Sequence, residues 1–156
     1  MEYKELIDAF AAKYGVTTAA GEDGLSAVEI DGTNVSFCED ADARAIILTA
    51  QVGKLPPDEK GRFASILLKA SGMLSANAEG AFCVDDDDML YVVRQVPLAF
   101  ADMDVFTSAL ESLVDLAEMW REHAAAFASA DGEMAQRDIE EAALNPFFGN
   151  ADFIRV

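Results

Sequence analysis

The chain has 156 residues and a mass of 16.7 kDa, and 11 Lys and Arg against 29 Asp and Glu give it a formal net charge of −18. This length fits one domain with its own core, and an apolar fraction of 52% excludes a disordered chain. A surface this acidic repels phosphate groups, which disfavours nucleic acids and anionic membranes as partners.

The sequence also indicates the compartment. The N-terminal residues lack the continuous apolar core of a signal peptide, and the longest mostly apolar stretch, Ala45 to Val52, is too short to cross a bilayer. Cys38 and Cys83, the only cysteines, are interpreted as small buried thiols in a reducing compartment, although a pairing across a sheet stays open. We therefore expect a cytoplasmic protein.

The first third of the chain reads as one helix followed by three strands. Apolar residues recur at the spacing of one helical face from Tyr3 to Tyr14, which predicts an amphipathic helix that ends at Gly15. Three strands are predicted next, at Leu25 to Ile30, Asn34 to Glu39 and Ala45 to Val52. Asp31–Gly32 is typical of a tight hairpin turn. The third strand is apolar on both faces and is expected at the centre of a sheet.

A second helix is predicted from Pro57 to about Ala76, because proline suits a first helical turn and acidic residues follow it. One face of this helix carries an ordinary core stripe. The opposite face is small and weakly polar, and its members are Gly61, Ser65, Leu68, Gly72 and Ser75. It is either a solvent-exposed side or a surface on which a second helix packs closely.

Two further strands, Ala81 to Val84 and Met89 to Val96, precede a long helix that Asp104 is expected to cap. The resulting order α-β-β-β-α-β-β-α predicts an α+β fold. We expect a two-layer α/β sandwich with a five-stranded antiparallel sheet and the helices on one face.

Residues 129–156 are expected to form a C-terminal extension to a domain of residues 1–128. A short acidic helix is predicted from Glu133 to Leu144, stopped by Asn145–Pro146. The apolar residues that follow are Phe147, Phe148, Phe153 and Ile154. This tail has the composition of a ligand for an apolar groove, in its own chain or in a neighbouring copy, and a partly ordered end fits the composition equally well.

No arrangement of residues indicates catalysis. The run Asp85 to Asp88 lacks the spacing of a calcium loop and is interpreted as a solvated hairpin turn. His123, the only histidine, has no sequence partner for nucleophilic chemistry, so we expect a helix-end histidine stabilised by the helix dipole. Since phosphate loops and Cys/His clusters are also missing from the sequence, we expect no enzyme, no metal and no cofactor.

Four segments resemble a known family. They are Leu6-Ile7-Asp8-Ala9-Phe10, Phe63 to Leu68, the hairpin from Gly80 to Leu98, and the long helix from Phe106 to Glu122. In their order and spacing they resemble the class I type III secretion chaperones (the CesT/Tir chaperone family). The chain departs from the family's pattern at Lys69, where the family often carries an Asn, and in its tail, which extends past the usual end.

The resemblance implies a function. It implies a homodimer joined through the central helix, which would make the face Gly61, Ser65, Leu68, Gly72 and Ser75 the dimer interface. It also implies grooves beside the first helix and early strands that bind the N-terminal segment of a secreted effector and keep it export-competent. Candidate client-binding residues are Tyr3, Phe10, Val35, Phe37 and Ile47, several of which are expected to be core. The alternative is an adaptor or immunity-like protein that binds a folded partner.

A third interpretation, a small enzyme that uses the acidic turn and His123, requires a metal ion. We expect calcium or magnesium to leave the midpoint of thermal unfolding unchanged, because a ligand raises that midpoint only if it binds the native state. Differential scanning calorimetry with and without each cation checks this. A rise in the midpoint that grows with cation concentration would contradict the expectation.

Overall fold

The computed structural model describes residues 2–18 and 24–148. Its helices are α1 (Tyr3–Tyr14), α2 (Arg62–Ala76), α3 (Met103–Ser129) and α4 (Gly132–Phe148). Its strands are β1 (Ser26–Ile30), β2 (Thr33–Asp40), β3 (Ala45–Lys54), β4 (Ala81–Val84) and β5 (Met89–Pro97). The predicted α+β fold is confirmed. Within the described ranges, no helix is long and apolar enough to span a bilayer.

The strands form one antiparallel sheet in the order β1-β2-β3-β5-β4, so β3 is central as predicted. Side chains alternate along β2, where Val35 and Phe37 are buried while Ser36 and Cys38 are partly exposed on the other face. Their partners across the ladder, Ala50 and Leu48 of β3, are equally buried. One face of the sheet therefore supplies the core, and the helices cover that face.

Three aromatic rings connect the first helix to the rest of the core. The ring of Phe10 lies 6.3 Å from that of Phe37 on β2 and 5.3 Å from that of Phe106 on α3, measured between centroids. Phe37 and Phe106 are 5.6 Å apart, and all three pairs meet edge to face. Such pairs add about 0.5–1.5 kcal/mol each beyond the area that they bury. This cluster fixes the position of α1 on the sheet.

Two predicted helix starts are wrong. Helix α2 begins at Arg62 and not at Pro57, because Gly61 adopts a left-handed conformation with φ 66° that interrupts the helix. The side chain of Asp58 then accepts a hydrogen bond from the Ala64 amide at 3.0 Å. Helix α3 is capped by Asp102, whose carboxylate accepts from the Val105 amide at 2.8 Å. The cap was predicted at Asp104, but it is Asp102, two residues earlier, that caps the helix.

The predicted stop of the last helix is also wrong, because α4 continues through Asn145 and Pro146 to Phe148. Pro146 lies in the last turn of α4. A proline there removes one backbone hydrogen bond, and few helical residues follow it, so the cost to the helix is small. Burial favours the helix in the same region, since Ala143 and Leu144 are buried and Phe147 packs against the core. The positions predicted for the tail beyond Phe148 lie outside the described residues.

Helix α4 runs parallel to α2. Its Glu133 contacts Lys60 and Arg62 at 3.4 and 3.5 Å, and its Glu140 contacts Lys69 at 2.6 Å. Arg62 and Lys69 are as far apart along α2 as Glu133 and Glu140 are along α4, so the two helices advance side by side. Exposed ion pairs contribute little to stability, but the order of these contacts shows that α4 points in the same direction as α2.

The two cysteines cannot pair with each other, because β3 and β5 separate the strands that carry them. The expectation of two buried thiols is wrong for Cys83, which is exposed, and Cys38 is only partly buried. Cys83 lies on β4, an edge strand of the sheet, where less structure covers it.

We predict that Gly80→Ala destabilises the fold by about 2 kcal/mol or more. Gly80 has φ 143°, and a Cβ atom there would lie 2.7 Å from the backbone oxygen of Val93. Backbone strain alone costs on the order of 1–3 kcal/mol, and the oxygen cannot move without disturbing the β4–β5 ladder. Urea denaturation measures the free energy of unfolding. The control is Gly32→Ala, which has φ 78° but nothing within 4 Å of the new atom. Equal losses in both variants would contradict the steric explanation.

Candidate functional site: two grooves and one helix face

A groove lies where the start of α1 meets the ends of β1 and β2. We call it the N-terminal groove; its volume is about 490 Å³, and Tyr3, Ile7, Ser26 and Cys38 contribute to its lining. The Tyr3 hydroxyl donates a hydrogen bond to the Phe37 carbonyl oxygen at 3.2 Å, which ties α1 to β2. Burial raises the pKa of the Tyr3 hydroxyl, so this donor keeps its proton at neutral pH.

A second groove lies on the other side of α1, against the β1–β2 hairpin and α3. We call it the hairpin groove; its volume is about 320 Å³. Apolar side chains from α1, the loop after it, β1 and α3 line it: Phe10, Val16, Val28, Ile30 and Leu110. Three carboxylates also border it, namely Glu29, Asp31 and Glu111. It therefore combines an apolar floor with an acidic rim.

The short length of β1 leaves a step in the sheet. Pairing with β2 begins at Ser26 opposite Phe37, so Cys38 to Asp40 extend past β1. Among the described residues, no strand pairs with this side of those three residues, nor with the outer edge of β1. The N-terminal groove lies at this step, since both Ser26 and Cys38 line it. An extended peptide could add to such an edge through backbone hydrogen bonds.

The five client-binding candidates occupy different environments. Tyr3 lines the N-terminal groove, and Ile47 is partly exposed directly opposite Cys38, which lines the same groove. Phe10 is largely buried but forms part of the hairpin-groove floor. Val35 and Phe37 are almost completely buried in the monomer core. The structure therefore places Tyr3 in the N-terminal groove, Ile47 on the sheet face that the helices leave uncovered, and Val35 and Phe37 in the core.

Sequence reasoning missed several apolar groove residues, and three of them show why. Ile7 lines the N-terminal groove, and Val28 and Ile30 line the hairpin groove. Ile7 belongs to the apolar stripe of the first helix and was indistinguishable from core. The alternation of Val28 and Ile30 with Ala27 and Glu29 was a usable signal, because it assigns two apolar residues of an edge strand to one face.

The small face of α2 is exposed along its whole length. All five of its members are exposed, and Leu68 retains 75% of its accessible surface. A Cβ atom added at Gly61 or Gly72 would meet no other atom within 4 Å. The chain from Lys60 to Ala78 also contains no Asp or Glu. This face is therefore open, small and free of the negative charge that dominates the rest of the chain.

The acidic turn is organised by its own first residue. The Asp85 carboxylate accepts hydrogen bonds from the backbone amides of Met89 and Asp87 and from the Tyr91 hydroxyl, at 2.9, 3.0 and 3.1 Å. The Met89 bond is the main cause of the lowered pKa of Asp85. Because the folded-state pKa is lowered, this stabilisation is present at neutral pH and is lost as the pH falls through that pKa. No group of three candidate metal ligands occurs among the described residues.

His123 is not at a helix end as expected, since α3 continues to Ser129. Its ring packs against that of Trp120 with centroids 5.2 Å apart. Burial lowers the pKa of His123, against a smaller opposing effect from Glu122. The predicted interaction of a charged His123 with the helix dipole is therefore wrong, and the neutral ring packs against Trp120 instead.

Solved structures share this fold. They include the ExsC–ExsE complex, with a TM-score of 0.64 and 21% identity over 76% of this chain and 90% of that chain. The HopA1–SchA chaperone–effector complex gives a TM-score of 0.65 and 17% identity over 77% and 93%. The Yersinia pestis type III secretion chaperone SycH, in complex with a fragment of YscM2, gives 0.59 and 24% over 74% and 97%. No match was found among curated protein sequences.

The family match is more specific than the shared fold. Residues 5–121 match the Tir chaperone protein (CesT) family, and this range covers most of α1, the whole sheet, α2 and most of α3. The chain belongs to the Tir chaperone protein (CesT) family.

Proposed function

We propose that this protein is a cytoplasmic, homodimeric chaperone that binds the N-terminal segment of a type III secreted effector and keeps it export-competent. The observation that carries the proposal is membership of the CesT family over residues 5–121. The open grooves on both sides of α1 support it, because a binding protein needs accessible apolar surface. Two structural neighbours support it as well: HopA1–SchA is described as a chaperone–effector complex, and SycH as a type III secretion chaperone in complex with a fragment of another protein.

The grooves define the chemistry of the client. Their apolar floors suit apolar side chains, and the carboxylates of the hairpin groove favour a segment that also carries Lys or Arg. The step beside β1 suits an extended backbone. We therefore assign client contact to Tyr3 and to Phe10 in the floor of the hairpin groove. Ile47, which pairs with Cys38 at the step, is assigned a contact on the uncovered face of the sheet. Val35 and Phe37 support these surfaces from the core.

Charge supports the α2 face as the dimer interface. Two copies that each carry a formal charge of −18 repel each other, and the repulsion is smallest where acidic residues are absent. The face of Gly61, Ser65, Leu68, Gly72 and Ser75 meets this condition, and its small residues permit close helix packing. Burying Leu68 in each copy adds about 1.5–3 kcal/mol per side chain.

Residues 129–156 are proposed as an extension of the chaperone domain, supported by the end of the family match at residue 121. We infer no catalytic role for the chain, because the family to which it belongs is a chaperone family. The Asp85 carboxylate of the acidic turn is engaged within its own turn.

We predict that the chain is dimeric at micromolar concentration and that Gly72→Leu raises the dimer dissociation constant at least about tenfold, which corresponds to about 1.4 kcal/mol. The added side chain holds the two α2 helices apart. Light scattering coupled to size-exclusion chromatography gives the mass and its concentration dependence. Ala126→Leu, at an exposed position of α3, is the matched control. A monomeric wild type, or equal effects of both substitutions, would remove the assignment of this face.

We also predict that Glu29→Lys and Ile30→Lys each weaken binding of a synthetic unfolded peptide rich in Leu, Ile and Lys by about tenfold or more. Each adds a cation to the hairpin groove, and Ile30→Lys also removes apolar floor. Fluorescence anisotropy of the labelled peptide measures the affinity.

The control for the groove variants is Glu141→Lys, an exposed position on α4 that makes the same change in net charge as Glu29→Lys. An equal loss of affinity in the control would show that only overall charge matters. Binding of folded proteins combined with no affinity for unfolded peptides would favour the adaptor interpretation.

A further inference from the structure

A third groove lies between the end of α2 and α3. We call it the α2–α3 groove; its volume is about 430 Å³. Its apolar lining comes from Leu74, Leu116 and Met119, and its carboxylates are Glu79, Glu111 and Asp115. Met119 retains 40% of its accessible surface, so the apolar lining is open. The hairpin groove lies on the opposite flank of α3, against α1. Glu111 of α3 lies between the two grooves and lines both of them.

Helix α4 leads into this groove. The contacts of Glu133 with Arg62 and of Glu140 with Lys69 show that α4 advances along α2 in the same direction. Both helices rise about 1.5 Å per residue, so the last turn of α4 lies beside the last turn of α2. Leu74 belongs to that turn of α2, and Glu79 follows it. The chain therefore leaves α4 at the mouth of the α2–α3 groove.

The residues after Phe148 match this groove in length and chemistry. Residues 149–156 read GNADFIRV and span up to about 28 Å when extended. The groove runs along α3 from Ser108 to Met119, about 17 Å at helical rise. Phe153, Ile154 and Val156 are apolar, and the segment carries one carboxylate, Asp152, and one cation, Arg155. The three apolar side chains suit the apolar lining, and Arg155, which lies between two of them, suits the carboxylates that border the groove.

We propose that residues 149–156 dock in the α2–α3 groove of their own chain, with the apolar side chains on Leu116 and Met119 and Arg155 against the carboxylates. The α2–α3 groove is not one of the proposed client grooves beside α1. The composition of the tail alone does not decide between these grooves. Because the α2–α3 groove and the hairpin groove lie on opposite flanks of α3, a docked tail leaves the hairpin groove accessible. The inference does not depend on the identity of the client.

Disulfide trapping tests the position of the tail. In a background with Cys38→Ser and Cys83→Ser, the variant Ser112→Cys with Ala151→Cys places one thiol in the α2–α3 groove and one in the tail. The matched pair Glu29→Cys with Ala151→Cys places the first thiol in the hairpin groove. Both Ser112 and Glu29 are exposed, so the two variants are equally tolerable to the fold.

We expect the Ser112 pair to form an intrachain disulfide at least about tenfold faster than the Glu29 pair, since docking raises the effective thiol concentration. Equal rates, or faster closure of the Glu29 pair, would overturn the proposal. A disulfide-linked pair of chains as the main product would also overturn it, because the occupant would then be the tail of a second copy. Mass spectrometry under non-reducing conditions distinguishes these products.

Methionine oxidation gives a second readout that needs no added thiol. A docked tail covers Met119, whereas Met134 on α4 is 81% exposed and serves as an internal reference. The double variant Phe153→Ser with Ile154→Ser should raise the oxidation rate of Met119 relative to Met134 several-fold under dilute peroxide. Asn150→Ser is the control and should leave the ratio unchanged. An unchanged ratio in the double variant would contradict docking.

Discussion

The negative charge of this chain constrains every contact that it can make. With a formal charge of −18, the protein repels a second copy of itself and attracts basic partners. Its few cations are not spread evenly, because Lys60, Arg62 and Lys69 lie in or beside the acid-free segment that contains α2. Helix α4 places Glu133 and Glu140 on these cations. The exposed face of α2 is therefore left small, weakly polar and nearly neutral, which suits contact between like-charged copies.

The same core that stabilises the fold also shapes the grooves. Edge-to-face contacts among Phe10, Phe37 and Phe106 hold α1 on the sheet, and the Tyr3 hydroxyl adds a bond to β2. Because α1 is short and β1 begins late, neither covers the end of β2. Apolar surface thus remains open on both sides of a rigidly placed helix.

Much of the fold could be predicted from the sequence, because hydrophobic periodicity identified the helices and strands of the domain and the central position of β3. The errors concern local backbone chemistry. Helix α2 begins later than predicted because Gly61 adopts a left-handed conformation, and α4 ends later than predicted because burial near Phe147 favours the helix beyond Pro146. The site was harder to predict, since apolar periodicity does not distinguish a groove from a core. Phe37 and Ile47 look equally apolar in the sequence, yet only the structure shows that one is buried and the other partly exposed.

Helix α4 lies outside the region that matches the family, because the family match ends at residue 121 and α4 begins at Gly132. It lies against the flank of α2 without covering the small face, so it leaves the proposed dimer interface accessible. The most direct measurement is a crystal structure of the chain with a bound client segment. Our account predicts two copies related by a two-fold axis, Leu68 buried between their α2 helices, and an extended client in the grooves beside α1. A single copy with the α2 face exposed to solvent and both grooves closed would contradict it.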